Sequence, residues 1–276
     1  MFTKEMLLEE ITNRGYKAQL SEVVKNGVKL NAIVIKGETN CAPSIYIDEM
    51  MESANDKGLS VEEFASHVLQ IAKEHIGVEF DAELIRDKAF VLSNLHIAIQ
   101  KESTEAIIKR ECGFEGLESY LYLRVKVNGS EGSIKLNERI LEQSGTTEAE
   151  AWESAERNLH EETIVQPIFQ VIGNMLGASA AGVDLEEESA GIYVISTKSM
   201  QFGASAILDK ATIKSLAEKC KVDDFIVIPS SRHEMILVPN IGGVDFDNIC
   251  DMVRQVNEST VAEVDRLTDR AYKLTA

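Results

Sequence analysis

The chain has 276 residues, 46 acidic against 28 basic side chains, a formal charge of -18 and an apolar share of 44%. That length, above the ~100 to 200 residues usual for one domain, favours one large or two smaller domains, and the composition excludes global disorder and a membrane bundle. The acidic balance opposes attraction to phosphate backbones and anionic lipid, so neither direct nucleic-acid binding nor membrane association is expected.

At the N-terminus, Glu5 and the Glu9-Glu10 pair interrupt the apolar residues before a signal-peptide core can form, so a cytoplasmic location is expected. Residues 4–14 read as a short helix with Leu7, Leu8 and Ile11 on one side and Asn13-Arg14-Gly15 as the stop. Residues 17–25 and 29–36 read as strands joined at Asn26-Gly27, a dipeptide suited to the positive φ angles of a tight hairpin, and residues 44–47 offer a third strand. Ser60 and Glu63 have capping-box spacing ahead of an apolar stripe of Val61, Phe64, Ala65, Val68, Ile71 and Ala72, and Thr147 with Glu150 repeats it ahead of Trp152, Ala155 and Leu159.

Between these helices, residues 90–99 read as a strand, residues 104–110 as a helix, and residues 120–127 and 133–136 as strands around a Gly-rich turn. Residues 164–183 carry no charge over about the ~20 residues that span a bilayer, but Gln166, Pro167, Gln170, Asn174 and three glycines make a buried helix running into a Gly/Ala loop the better expectation. Further on come a strand at 191–196, a second at 204–208, a helix carrying Ile213, Leu216, Ala217 and Cys220, and an apolar hairpin over 223–239. A final helix closes the chain, capped by Asp245 or Asp247, with Phe246, Ile249, Met252, Val253 and Val256 as its buried face.

Strand pairs joined by short turns and followed by helices favour an α+β fold with antiparallel or mixed sheets, and the recurrence of strand, strand, helix is compatible with duplicated modules. The acidic segment 184–189 is the expected boundary between an N-terminal α+β region, 1–183, holding two such modules, and a C-terminal α+β region, 190–276, holding the hairpin.

Cys41, Cys112, Cys220 and Cys250 are scattered, without the paired spacing of a zinc site, and read as reduced thiols; no metal and no cofactor is expected. His67, His75, His96 and His160 form no ligand pattern, and no phosphate-binding or dinucleotide loop occurs. Chemically capable side chains crowd together only at Ser230, Ser231, Arg232, His233 and Glu234. An acyl-transfer site can be written there, with Ser230 or Ser231 as nucleophile, His233 as base and Glu234 as its orienter. Neighbours in a strand point to opposite faces, however, and no Gly-x-Ser-x-Gly elbow is present, so a turn with satisfied hydroxyls, His233 bonding backbone and Arg232 solvated explains the cluster better. The leading expectation is therefore a non-catalytic binding or regulatory protein that contacts a small-molecule or protein partner through Ser230, Ser231, Arg232 and His233. Hydrolysis by Ser230 or Ser231 with His233 is the alternative, and an acidic DNA mimic is a further one.

Gly191-Ile192-Tyr193-Val194-Ile195-Ser196, Gly203-Ala204-Ser205-Ala206, Ile228-Pro229-Ser230-Ser231 with His233-Glu234 and Val238-Pro239, and Met252-Val253 with Val256-Asn257 stand together as a signature. On these residues the chain resembles an uncharacterised bacterial family, a domain of unknown function of anaerobic Gram-positive bacteria and their mobile elements. The likeness extends upstream through residues 92–99, 122–127 and 134–158. Departures are Ser196-Thr197, where that family more often has Thr-Asn, and Arg110-Glu111-Cys112, where a Pro-His pair is common. The resemblance implies a bacterial cytosolic α+β protein and brings no reaction, cofactor or catalytic residue with it.

Overall fold

The computed structural model describes residues 1–77, 79–127, 130–175, 191–242 and 245–276. The chain divides into two compact units, one of Met1–Ala82 with Val125–Gly132 and one of Glu83–Arg124 with Ser133–Ala276. The expected boundary at 184–189 lies outside the described residues.

In the first unit, α1 (Lys4–Asn13) is followed by β1 (Lys17–Lys25), β2 (Val28–Lys36), β3 (Ser44–Tyr46), α2 (Asp48–Asp56) and α3 (Val61–Lys73). The strands form one antiparallel sheet in the order β1-β2-β3. Lys25 pairs with Val28, so the turn is the two residues Asn26-Gly27 with φ of 48° and 78°, the doubly positive geometry that this dipeptide accommodates. Leu7 and Ile11 of α1, Ile33 and Ile35 of β2, and Phe64, Val68 and Ala72 of α3 close a single core. Arg14, just past the end of α1, donates to the Glu62 carbonyl and the Ser66 hydroxyl, both at 2.8 Å, and so fastens α1 to the start of α3. The Ser60–Glu63 capping box is formed in both directions.

The second unit begins with a 3₁₀ turn (Leu84–Arg86) and continues through α4 (Lys88–Ser93), β4 (Leu95–Lys101), β5 (Lys109–Glu111), β6 (Leu117–Val127) and β7 (Ser130–Lys135), the facing ends of β6 and β7 counting with the first unit. Next come α5 (Glu138–Ser144), α6 (Glu148–Glu162), β8 (Thr163–Pro167), α7 (Ile168–Met175) and β9 (Tyr193–Thr197). The chain ends with a 3₁₀ segment (Gly203–Leu208), α8 (Lys210–Cys220), β10 (Asp224–Ser231), β11 (Glu234–Pro239), α9 (Phe246–Thr260), a 3₁₀ turn (Glu263–Asp265) and β12 (Tyr272–Thr275). Two antiparallel sheets result, one with β6 between β4 and β5 and also paired to β7, the other in the order β12-β10-β11-β9-β8. The fold is α+β with antiparallel sheets, as the turn and strand pattern implied.

Register divides β4 and β6 into two faces. Ile97 opposes Leu121 and Ile99 opposes Ser119, while His96 opposes Tyr122, Ala98 opposes Tyr120 and Gln100 opposes Glu118. The first set is the apolar face, and α6 packs against β4, with the Asn158 amide donating to the Leu95 carbonyl at 2.8 Å. The second set is a polar, aromatic face.

Several elements depart from the sequence expectation. Residues 90–99 are not one strand, because the Asp87 carboxylate caps the amides of Ala89 and Phe90 and starts α4, leaving β4 to begin at Leu95. An apolar run by itself does not separate a buried helix from a buried strand. Residues 104–110 are not a helix: the Ile108 amide donates to the Leu136 carbonyl and its carbonyl accepts from the Leu121 amide, which draws this segment into the sheet. Residues 204–208 form 3₁₀ structure with Ser205→Phe202 and Asp209→Ala206 backbone bonds instead of a strand. The expected helix over 164–183 begins as β8 and turns helical only at Ile168; its last part lies outside the described residues. On α9, Val253 is buried, but Met252 and Val256 are 51% and 54% exposed, so most of the predicted buried face points outward. Among the described residues, no helix is long and apolar enough to cross a membrane.

Candidate functional site

The hairpin that the sequence singles out is built around a bulge. Ile228 pairs with Ile236 and Ser231 with Glu234, so Pro229 and Ser230 oppose Met235 alone. Proline has no amide to give to a ladder, and a bulge is one of the few strand positions that tolerate it. Arg232 and His233 then make a two-residue turn. The Ser231 hydroxyl accepts from the His233 amide at 3.0 Å, and the Ser230 hydroxyl donates to the Glu234 carboxylate at 3.3 Å.

The backbone of this turn is almost fully engaged. The Arg232 amide donates to the Asp265 carbonyl at 2.9 Å, its carbonyl accepts from the Ala204 amide at 3.3 Å, and the His233 carbonyl accepts from the Ser196 hydroxyl at 2.7 Å. Gly203 makes the approach possible. A Cβ at this position would fall 2.5 Å from the His233 carbonyl oxygen, 2.7 Å from the Thr197 nitrogen and in collision with Ser196 Oγ. Phe202, in the left-handed region with φ of 52°, lays its ring parallel to the His233 imidazole and 4.3 Å beneath the Arg232 guanidinium. Positive φ is uncommon for a bulky residue, so the surrounding contacts hold it there.

His233 Nδ1 accepts from the Phe202 amide and Nε2 lies 3.4 Å from the Asp265 carboxylate, an arrangement that places the ring proton on Nε2. Thus the structure gives His233 an acidic neighbour, but it is Asp265, thirty-odd residues away in sequence, while Glu234 takes Ser230. Neither serine hydroxyl is hydrogen-bonded to the His233 ring among the described residues. Arg232 is half-buried instead of solvated: Nη2 donates to the Tyr120 hydroxyl at 3.4 Å, and Nε is buried with no hydrogen-bond partner among the described residues. No spacing rule links residues 120, 202 and 265 to the hairpin, so none of the three was visible from the sequence.

Tyr120 and Tyr122 continue the polar face of β6. Burial pushes the Tyr120 hydroxyl up to about 12 despite the Arg232 charge beside it. Next along the face, Arg124 makes a two-pronged pair with Glu162 at 2.8 and 3.1 Å and reaches the Ser199 hydroxyl at 3.2 Å. His96 lies 3.5 Å from Glu162, but burial and the Arg124 charge lower its pKa to about 4, outweighing the carboxylate, so the imidazole is neutral at pH 7. At the other end of the face, Glu118 and Glu105 are held below the usual carboxylate range; burial opposes their charge, but hydrogen bonds outweigh it, from Gln100, Ser103 and Lys109 to Glu118 and from Lys135, Gln100 and Ser103 to Glu105.

The apolar face of the same sheet borders a cavity of about 690 Å³. Its floor is apolar and buried, from Ile97 of β4, Phe114 of the loop between β5 and β6, Leu159 of α6 and Ile207 of the 3₁₀ segment. Arg110, Cys112, Glu156, Asp209 and Lys210 border it as well. Arg110 pairs with Glu156 and lies 3.9 Å above the Trp152 ring. Asp209 caps α8 through the Thr212 amide and hydroxyl and holds His160 at 2.9 Å. Burial raises the pKa of Cys112, so its thiol stays protonated. Ser230, Ser231, Arg232 and His233 do not line this cavity. Its walls come from six separate segments between residues 97 and 274, and no local pattern announces it.

Over residues 2–275 the chain matches the model of a family of unknown function, DUF5688, and it belongs to that family. No curated protein and no solved structure matches it.

Proposed function

We propose that the protein is a non-catalytic binding protein whose ligand, a small molecule with an apolar body, occupies the cavity beside Ile97, Phe114, Leu159 and Ile207. The observation that carries this reading is the cavity itself. Ligand sites are typically hollows of about 300 to 1,000 Å³ with apolar walls and a few polar groups. At about 690 Å³, with an apolar floor and a charged border, the cavity fits that description.

The hairpin supports the same reading by what it is used for. Its two serine hydroxyls bond within the hairpin, and its carbonyls and imidazole nitrogens hold the turn against the 196–204 loop and the 3₁₀ turn at Asp265. A nucleophile needs a base within hydrogen-bond reach, and Ser230 and Ser231 have none in the His233 ring. The family resemblance supports a bacterial cytosolic setting.

The test is titration with N-phenyl-1-naphthylamine, an uncharged fluorophore that brightens in apolar surroundings. Saturable binding at one site per chain is expected, abolished by Leu208→Trp, which fills the cavity from its 3₁₀ wall, while the melting temperature is retained. Absence of binding, or equal binding by the filled variant, refutes the proposal. A serine-reactive fluorophosphonate should leave Ser230 and Ser231 unlabelled; labelling of either would restore the hydrolase alternative.

A further inference from the structure

Resting on the cavity as the ligand site, we infer that its ligand carries one anionic head group, a carboxylate or sulfonate, on the apolar body, and that Lys210 receives that head. The inference comes from following each charge at the border of the cavity to its partner. Arg110 is committed to Glu156 and to the face of Trp152. Asp209 has its carboxylate almost wholly covered, with its oxygens taken by the Thr212 amide, the Thr212 hydroxyl and His160. Glu111 borders the cavity too, but it opposes Glu118 in the sheet register. Arg110 opposes Ser119, a residue of the cavity wall, so the alternation of side chains sends Glu111 to the other face with Tyr120.

Lys210 is what remains. It is exposed, it borders the cavity, and no carboxylate lies within ion-pair distance of it among the described residues. Among the described residues, the side chains on the cavity's own face therefore present one uncommitted cation and no uncommitted carboxylate, above an apolar floor. A molecule that fills the floor brings its head group to that cation. A neutral head forgoes the charge-assisted hydrogen bond and a cationic head is repelled.

The experiment compares two fluorophores with the same aromatic body, uncharged N-phenyl-1-naphthylamine and anionic 8-anilino-1-naphthalenesulfonate, at low ionic strength. The anionic probe is expected to bind about tenfold more tightly, the size of effect that one charge-assisted hydrogen bond gives. Lys210→Met should bring the two affinities together by weakening the anionic probe alone, and Lys210→Arg should keep the gap. Lys210 is solvent-exposed, so neither substitution disturbs the core. Cavity filling by Leu208→Trp, or independently by Cys112→Phe, should abolish both probes and so separates this site from the exposed apolar stripe of α9. Equal affinities in the parent protein, or a gap that survives Lys210→Met, overturns the anionic head while leaving the cavity reading in place. Failure of both probes to bind overturns the two together.

Discussion

Protonation of His96 should loosen the second unit in mildly acidic solution. Its imidazole is 12% exposed, stands beside the Tyr122 ring and shares Glu162 with Arg124. The folded protein holds it neutral down to about 4, from an ordinary value of 6.5. Above pH 6.5 both folded and unfolded chains carry neutral imidazole and nothing is lost. As pH falls below 6.5 the unfolded chain takes up the proton while the folded chain does not, so stability declines until about pH 4, where the folded state protonates as well. Linkage arithmetic gives a loss of about 2 kcal/mol at pH 5 and about 3 kcal/mol at full extent. Glu105, Glu118 and Asp209, whose carboxyls are held below their usual range, lose their contributions only at lower pH, which leaves the window from 6.5 to 5 to the histidine. The assay is urea unfolding followed by the fluorescence of Trp152, the only tryptophan of the chain and a buried residue of the second unit. A midpoint lower by about 1 M is expected at pH 5 than at pH 7.5, and His96→Gln should remove most of that difference. Identical midpoints at the two pH values, or an equal drop in the variant, would refute the assignment of a buried neutral imidazole.

The other expectations concern how the elements are fastened. Thr147→Ala removes one arm of the capping box at the start of α6 and should cost about 1 kcal/mol, seen in the same Trp152 transition, whereas a change below about 0.3 kcal/mol would mean the cap is not formed in solution. Gly203→Ala drives a methyl group into the His233 carbonyl and the Thr197 amide and should destabilise by more than about 3 kcal/mol; a melting temperature within about 2 °C of the parent would show that the hairpin does not sit on this glycine. Ser231→Ala leaves the His233 amide without its acceptor at half-buried depth and should cost about 1 kcal/mol, more than Ser230→Ala, and urea midpoints in the opposite order would contradict the geometry of the turn.

What could be read from the sequence was chemistry confined to a few neighbouring residues. Asn26-Gly27 encodes its own doubly positive turn, and the Ser60–Glu63 and Thr147–Glu150 boxes each close within three residues, so these features appear where expected. Most of the expectations that failed needed a partner distant in sequence; the strand at 90–99 is the exception, displaced by the nearby Asp87 cap. Ile108 is held at the sheet because Leu136 and Leu121 supply its hydrogen-bond partners, and the start of the 3₁₀ segment lies against the hairpin, with the Ala204 amide on the Arg232 carbonyl and Gly203 at close approach. On α9 the periodicity identified a coherent stripe but not what lies against it. Met252 and Val256 lie on that stripe in the open, and an amphipathic pattern specifies a face without naming its neighbour.

The candidate site shows the same division at larger scale. Ser, Arg, His and Glu attract attention because each can do chemistry, yet a tight turn carries donors and acceptors that must be satisfied once it is half-buried, and these residue types satisfy them best. At the hairpin they do so: Ser196 and Ser231 answer the carbonyl and the amide of His233, and the His233 ring answers Phe202 and Asp265. The proposed binding cavity, in contrast, has a floor of residues with no chemical signature, Ile97, Phe114, Leu159 and Ile207, and exists only when their segments meet. The proposed mark of that cavity is a surplus charge at its border, and it becomes legible only after each other charge there has been assigned a partner or, for Glu111, the opposite face of the sheet. The Lys210→Met titration therefore tests more than a ligand preference, because it asks whether that assignment of partners is right.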